Sequence, residues 1–266
     1  MADKTRSLYN DEVTLDFTSD PHGYFWKEIG LPVRGFSSIK DRLGVNHAIA
    51  NWMVNQAIEH IKDNVVRPAA AAIIIDRERF GAICHEAKTA SRKTASKAAN
   101  IGTIVHKFAE RVLVDGSAEM PSEPQAAKGA AAFLGWLRSH KVDPIDTERM
   151  VLSRKHYYAG TVDFYGLIDF ERCVLDFKTS SGFYVEMPLQ LAAYAIALEE
   201  ELGVKIKKGL IVRLDKKTGV PKVYTVALES PDDDDTWKDA FISLAHLDRM
   251  MTRLETHVDG IRARAA

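Results

Sequence analysis

Along the chain the rhythm of apolar and polar positions changes near residue 145. Before that point it is helical. Ile49, Trp52, Met53, Ala57 and Ile61 recur at spacings of three and four, which predicts a helix over Asn46 to Asp63. Few strand formers interrupt Asp76 to Lys97, and a helix over Ala98 to Val114 would carry Gly102, His106 and Glu110 on one face, four residues apart. After residue 145 strand formers dominate. Arg149 to Tyr158, Thr161 to Phe170 and Cys173 to Thr179 are short β-rich runs separated by Ala159-Gly160 and Glu171-Arg172, the pattern of a tight antiparallel meander. A helix is expected over Leu189 to Leu202, with Pro188 at its start and Gly203 at its C-terminal cap. Lys205 to Leu214 then reads as a strand, Lys216 to Gly219 as a turn and Lys222 to Leu228 as a further strand. A last helix runs from about Asp235 past Arg253. Asp232 to Asp235 precede it and suit the positive end of the helix dipole better than a calcium loop, whose glycine and closing glutamate are missing.

The 266 residues are 46% apolar and 27% charged, enough for a sizeable core and too apolar for disorder. No internal repeat or Gly/Pro/Ser-rich linker occurs, so one compact unit is expected. The apolar run Ala69 to Ile75 falls far short of the roughly 20 residues that cross a bilayer, and the first residues lack a secretory or transit pattern. A cytoplasmic protein without a membrane span is the expectation. Two cysteines, Cys84 and Cys173, are too few for a disulfide framework, a four-thiolate zinc site or a cysteine-ligated iron-sulfur cluster within this chain. With a formal net charge of −1, any affinity for nucleic acid must come from a local basic face.

Chemistry concentrates in residues 158–194, YAGTVDFYGLIDFERCVLDFKTSSGFYVEMPLQLAAY. On a strand over Cys173 to Thr179, Asp176 and Lys178 point the same way and Leu175 and Phe177 the other. Antiparallel pairing can bring Asp163 of the preceding strand toward Asp176, placing two acids beside a lysine. Neighbouring carboxylates repel unless a cation lies between them, and oxygen ligands suit Mg²⁺ or Mn²⁺. Such a cation would polarise a phosphoryl oxygen and acidify a water, while Lys178 would orient that water or offset transition-state charge. The tripeptide Asp-x-Lys taken alone describes an ordinary solvated pair; its surroundings distinguish it.

Those surroundings resemble the PD-(D/E)xK nucleases, in the RecB-type branch that includes phage exonucleases and the mitochondrial genome maintenance exonuclease. Gly160-Thr161-Val162-Asp163 is similar to that branch's Gly-Thr-x-Asp strand, Asp176-Phe177-Lys178-Thr179 to its Asp-x-Lys-Thr strand, Gln190 to Tyr194 to its Gln-x-x-x-Tyr helix, and Gly102 to His106 to its Gly-Thr-x-x-His helix. Order and spacing agree over residues 98–200. Phe36-Ser37-Ser38-Ile39 and Asn51-Trp52 echo the helical lead-in of phage members more loosely. The resemblance implies that Asp163 and Asp176 are metal-binding carboxylates and that His106 and the backbone carbonyl of Phe177 are further ligands. It makes Lys178 the catalytic lysine, with Gln190 and Tyr194 orienting Lys178 or a substrate phosphate. Glu110 and Glu148 read as ordinary surface charges before any more distant role at the site.

Residues 84 to 107 hold Lys88, Arg92, Lys93, Lys97 and Lys107 against Glu86, and residues 205 to 222 hold seven basic residues, among them Lys205, Lys207 and Lys208, against Asp215. Both are candidate phosphate-contacting faces. Tyr158, with Tyr157, Phe183 and Tyr184, flanks the motif strands and is a candidate for stacking on bases.

The expected fold is therefore α/β, with a restriction-endonuclease-like core over residues 98–266 whose mixed central β-sheet is flanked by helices. Residues 1–97 form a helical N-terminal region packed on it. The resemblance implies an Mg²⁺- or Mn²⁺-dependent deoxyribonuclease, an exonuclease of recombination, repair or end processing, phage-encoded and acting in the host cytoplasm. It implies as partners DNA, single-stranded or at duplex ends, and a single-strand-annealing or single-strand-binding protein. A structure-specific endonuclease would use the same residues. A catalytically silent nucleic-acid-binding protein would keep the fold, although the presence of Asp163, Asp176 and Lys178 together weighs against it. The iron-sulfur relatives are excluded by cysteine count, and no Walker A pattern supplies unwinding.

Overall fold

A computed structural model describes residues 2–44, 47–65, 76–229 and 236–265. The apolar run 69–75 and the four aspartates 232–235 lie outside the described residues. The chain divides into two compact units, one of Met1–Arg42 with Ile104–Ala266 and the other of Leu43–Thr103.

The larger unit is mixed α/β. Strands β1 (Lys4–Leu8), β2 (Val13–Ser19), β3 (His22–Trp26) and β4 (Leu31–Gly35) form antiparallel hairpins, followed by the short helix α1 (Phe36–Lys40). The expectation of a helical region over residues 1–97 fails here. These strands are five to seven residues long and mix polar with apolar positions, so alternation is too brief to stand out, yet they bury Leu8, Val13, Leu15, Tyr24, Trp26 and Val33 against Met150, Leu152 and Ala159. Among the described residues, helix before residue 115 lies in α1, the 3₁₀ turn Asp41–Leu43, α2 (His47–Val65) and α3 (Arg77–Asp115).

The expected meander follows helix α4 (Pro124–Ser139) as β5 (Val142–Ser153), β6 (Tyr158–Ile168) and β7 (Glu171–Lys178). Its turns are displaced from the expected ones. The first spans residues 154–157 and leaves Gly160 inside β6. The second is a two-residue hairpin at Asp169 and Phe170, both at positive φ, the backbone of a type I′ turn built without glycine. Helix α5 (Glu186–Leu202) ends on Gly203 at φ 64, as the sequence predicts, and leads to β8 (Lys208–Leu214), which lies parallel to β7. Strand β9 (Pro221–Ala227) and helix α6 (Trp237–Ala265) complete the chain. Among the described residues no helix is long and apolar enough to cross a membrane.

The strands form one mixed sheet in the order β1-β2-β3-β4-β6-β7-β8-β9, with β5 also on β6. Helices flank it. The α5 and α6 side buries Leu191, Ala195, Leu198, Phe241 and Ala245 against Val151, Tyr158, Val162 and Val174. On the other side, α4 sets Phe133 and Trp136 edge-on to the Phe177 ring, with centroids 5.4 and 5.6 Å away. A buried aspartate ties the ends together: Asp248 of α6 accepts from Arg34 on β4 and from Arg42 just after α1.

Pairing along β6 is interrupted on one edge. β4 meets it in parallel only at Tyr158 and Ala159, and β7 meets it from Phe164 onward. Gly160 to Asp163 therefore have a strand neighbour only on the β5 side, leaving a notch in the sheet. Gly160 also lets α5 come close, since a Cβ there would lie 2.6 Å from the Tyr194 ring.

The smaller unit pairs the parts of α2 and α3 within residues 43–103 through Thr94 donating to Gln56 and His60 facing Glu86 at 3.4 Å. The helical spacing of Ile49, Trp52 and Met53 locates α2, but all three are exposed. Cys84 is half-buried, and in the larger unit Cys173 is buried, which pushes its thiol up to about 12.

Gly160→Ala should destabilise the protein by about 1–3 kcal/mol, the usual cost of overpacking, because a buried ring must move. A urea midpoint lowered accordingly is the expected outcome; an unchanged midpoint would contradict the close approach of Tyr194.

Candidate active site

The notch draws charged groups together. Phe164 faces Leu175 across β6 and β7, so one further step of that register sets Asp163 against Asp176, where the ladder stops. Asp163 fills the break: its Oδ2 accepts the Phe177 N–H at 2.8 Å, standing in for a strand partner. From β5, the pairs Thr147 with Phe164 and Arg149 with Val162 leave Glu148 opposite Asp163. Glu148 takes φ 46 at that point, in the left-handed region. From α3, within the larger unit, His106 Nδ1 comes to 3.3 Å from Asp163 Oδ2.

One ligand atom from each of His106, Glu148 and Asp163 lies within 4.8 Å of the other two. Asp176, two residues before the end of β7 and almost fully buried, is outside that trio but close enough for its charge to act on His106. Its Oδ2 lies 2.5 Å from Lys178 Nζ but makes no hydrogen bond of acceptable geometry. Lys178 donates to Gln190 Oε1 at 2.9 Å, and Gln190 Nε2 donates to the Tyr194 hydroxyl at 2.7 Å. Strand alternation puts Asp176 and Lys178 on one face, and the four-residue repeat of α5 stacks Gln190 and Tyr194 beside them.

Electrostatics follow from burial and crowding. Burial alone would lower His106, but the carboxylates of Asp163 and Asp176 outweigh it and push it up to about 9. Burial and the negative charges of Asp163 and Glu110 push Glu148 up to about 7. Burial also raises Asp176 against the pull of Lys178. In Asp163 the opposite wins: the His106 charge overcomes burial and holds it below the ordinary carboxylate value. Lys178 is raised, since Asp176 and Asp163 outweigh its burial, and it stays an ammonium.

This donor set fits a divalent cation. Two crowded carboxylates and an imidazole supply oxygen and nitrogen within reach of one another. A cation entering must displace the protons that His106 and Glu148 hold near neutrality.

His106, Asp163, Asp176, Lys178, Gln190 and Tyr194, expected from the sequence, are thus brought together. Phe177 touches Asp163 through its backbone N–H, not through the carbonyl expected as a ligand, and its ring is buried on the α4 side. Glu148, read from the sequence as a surface charge, is a member of the cluster. Its left-handed backbone breaks the alternation by which a strand residue is assigned a face.

The expected nucleic-acid contacts fare unevenly. Tyr158 is fully buried and its hydroxyl donates to Ala193 O at 2.6 Å, so it is a core residue and cannot stack on a base. Lys205, Lys207 and Lys208 are also displaced from the site. Lys208 pairs with Cys173 whereas Arg213 pairs with Lys178, so parallel β8 sets those lysines about 16 Å from Lys178 along the strands. There Lys208 is ion-paired to Glu171, and Lys205 and Lys207 face Glu229. Of the same basic segment, Arg213, Lys217 and Lys222 stand at the Lys178 end, with Arg213 holding Ser181 O of the loop before α5. Lys107 is exposed on α3, and Lys88, Arg92, Lys93 and Lys97 are exposed in the smaller unit.

No family model matches the chain, and no curated protein does. Among solved structures, one titled "Crystal structure of SSO0001" is 14% identical, over 79% of this chain and 87% of its own, with a TM-score of 0.35. That likeness is too slight to bear on fold or function.

Without metal, stability should fall as pH rises from about 5 to 9. Glu148 at about 7 in the folded state, against an ordinary 4.5, contributes stability that is complete below 4.5 and lost as pH climbs through 7. His106, raised from 6.5 to about 9, contributes stability complete below 6.5 and lost through 9. Urea midpoints in EDTA at pH 5, 7 and 9 should decline in that order, with the first interval flattened in Glu148→Gln. Midpoints that rise with pH would contradict these assignments.

Proposed function

We propose that the protein hydrolyses DNA phosphodiester bonds with a divalent cation, Mn²⁺ or Mg²⁺, acting as a cytoplasmic exonuclease on DNA ends in recombination or repair. One observation carries this reading: a cluster of three groups able to hold a metal ion lies beside an ammonium that a neutral relay of Gln190 and Tyr194 holds in place. The resemblance of residues 98–200 to the PD-(D/E)xK nucleases supports it independently. His106, Glu148 and Asp163, with Asp176 beside them, would hold a cation that supplies Lewis acidity toward a phosphoryl oxygen and a water.

The chain's own groups supply the rest. Lys178 spends one N–H on Gln190, sits against Asp176, and can donate to a water or to a phosphoryl oxygen where negative charge builds. Because Gln190 gives its oxygen to Lys178 and its amide N–H to Tyr194, the amide orientation is fixed and the ammonium cannot swing away. Asp163 holds the end of β7, and with it Asp176 and Lys178, through the Phe177 N–H. Lys217 and Lys222 are exposed at the same end of the sheet and can meet flanking phosphates. A single-strand-annealing or single-strand-binding protein is the partner such an activity would call for.

The test is to incubate end-labelled linear and covalently closed DNA, single- and double-stranded, with Mn²⁺, Mg²⁺ or EDTA. Loss of linear substrates alone, dependent on metal, is expected, with Lys178→Ala and Asp176→Asn each slower by about a hundredfold or more and still folded. Cleavage retained by both variants would overturn the site. Cutting of closed circles would make the protein an endonuclease, and binding without cutting a silent binder.

A further inference from the structure

The notch that admits the charged groups also opens onto a small recess. It encloses about 250 Å³ and is bounded by β1 to β4 on one side and by Glu148, Gly160, Thr161 and Tyr194 on the other. Its outer wall is aromatic. Phe17 meets His22 edge-on and Tyr24 at a tilt, both with centroids 5.1 Å apart, so three rings brace one another. Phe36 and the Tyr194 ring, 6.4 Å apart, close the bottom. Tyr24 is pinned to β6 by its hydroxyl, 2.9 Å from Thr161 Oγ1.

Two of these walls already belong to the candidate active site. Glu148 is in the cluster of His106, Glu148 and Asp163, and Tyr194 ends the relay that holds Lys178. Anything bound in the recess is therefore an immediate neighbour of the group held there. The space equals that of roughly eight waters, the bulk of one heterocyclic ring system and far less than a stacked pair of strands. Braced aromatic walls suit a flat π-system, and the mouth carries a cation, Lys4, whose Nζ is 3.8 Å from Glu148 Oε2.

We infer that this recess takes one unpaired nucleobase, that of the nucleotide flanking the phosphate at the carboxylate cluster. The inference rests on the nuclease reading and adds to it a substrate requirement. A base within a duplex shows only its edges, so the nucleotide next to the reacting phosphate must be unpaired or flipped out of its stack. Phe17, His22 and Tyr24 are then recognition residues, sequence-tolerant because every base has a π-face.

Two variants probe the wall without touching the charged groups: Phe17→Ala with His22→Ala strips it, and Ser37→Trp, at an exposed position on the rim, fills it. A 2-aminopurine is placed at successive positions of a single-stranded oligonucleotide, and its fluorescence is read on binding in EDTA. Strong quenching confined to one position is expected, lost in both variants together with about tenfold in affinity. In the cleavage assay, a single abasic residue should slow wild-type cutting at one adjacent phosphate about tenfold and leave the stripped variant indifferent. Quenching retained in both variants, or a fully paired duplex competing as well as the single strand, would overturn the base pocket. Cleavage insensitive to the abasic residue would do so too, while leaving the nuclease reading intact. Position-specific quenching lost in both variants, with no cutting under any metal, would sustain the pocket and overturn the nuclease.

Discussion

The stretch of β6 between Ala159 and Phe164 that is paired on one edge alone is the constraint on which the rest of the molecule depends. A continuous sheet would have filled the other edge with backbone hydrogen bonds. Here the Phe177 N–H needs another acceptor, and Asp163 supplies it, which turns a charged side chain into the plane of the sheet. With the neighbouring strand absent, Glu148 from β5 and His106 from α3 can approach the same point. Gly160 lies in the same stretch, and its missing side chain lets Tyr194 lean in from α5.

Crowding of this kind is costly in an isolated domain, and the structure distributes the cost. Three buried or half-buried acids face two cations, and the acids respond unequally. Asp163, which has both His106 and a backbone donor, keeps its charge, whereas Glu148 and Asp176 are drawn toward their neutral forms. The relay from Lys178 through Gln190 to Tyr194 is neutral beyond its first member. It fixes the ammonium without setting a second carboxylate beside the one that Asp176 already brings to it.

Much of the site can be read in the sequence because two periods suffice for it. Asp176 and Lys178 share a strand face by the period of two, and Gln190 and Tyr194 share a helix face by the period of four. Other residues escape for definite reasons. Glu148 sits at a backbone angle that no alternation anticipates. Tyr158 adjoins the motif in sequence but faces α5, where its hydroxyl finds the Ala193 carbonyl. Lys205 to Lys208 form a basic run whose distance from the site is set by the parallel direction of β8, a matter of topology. The hairpins β1 to β4 are too short and too polar for their pattern to emerge, and their buried residues find their partners in β5 and β6.

Glu148 shows where durability and chemistry part company. Glycine or asparagine would relax a left-handed backbone there, and either would remove one of several crowded negative charges. Selection for heat resistance alone would be drawn to this position early, since strain and repulsion are relieved by the same exchange. The descendant would be a sturdier scaffold whose cluster of His106, Glu148 and Asp163 had lost one of its three members, and with it the donor set that could hold a cation, through a single codon.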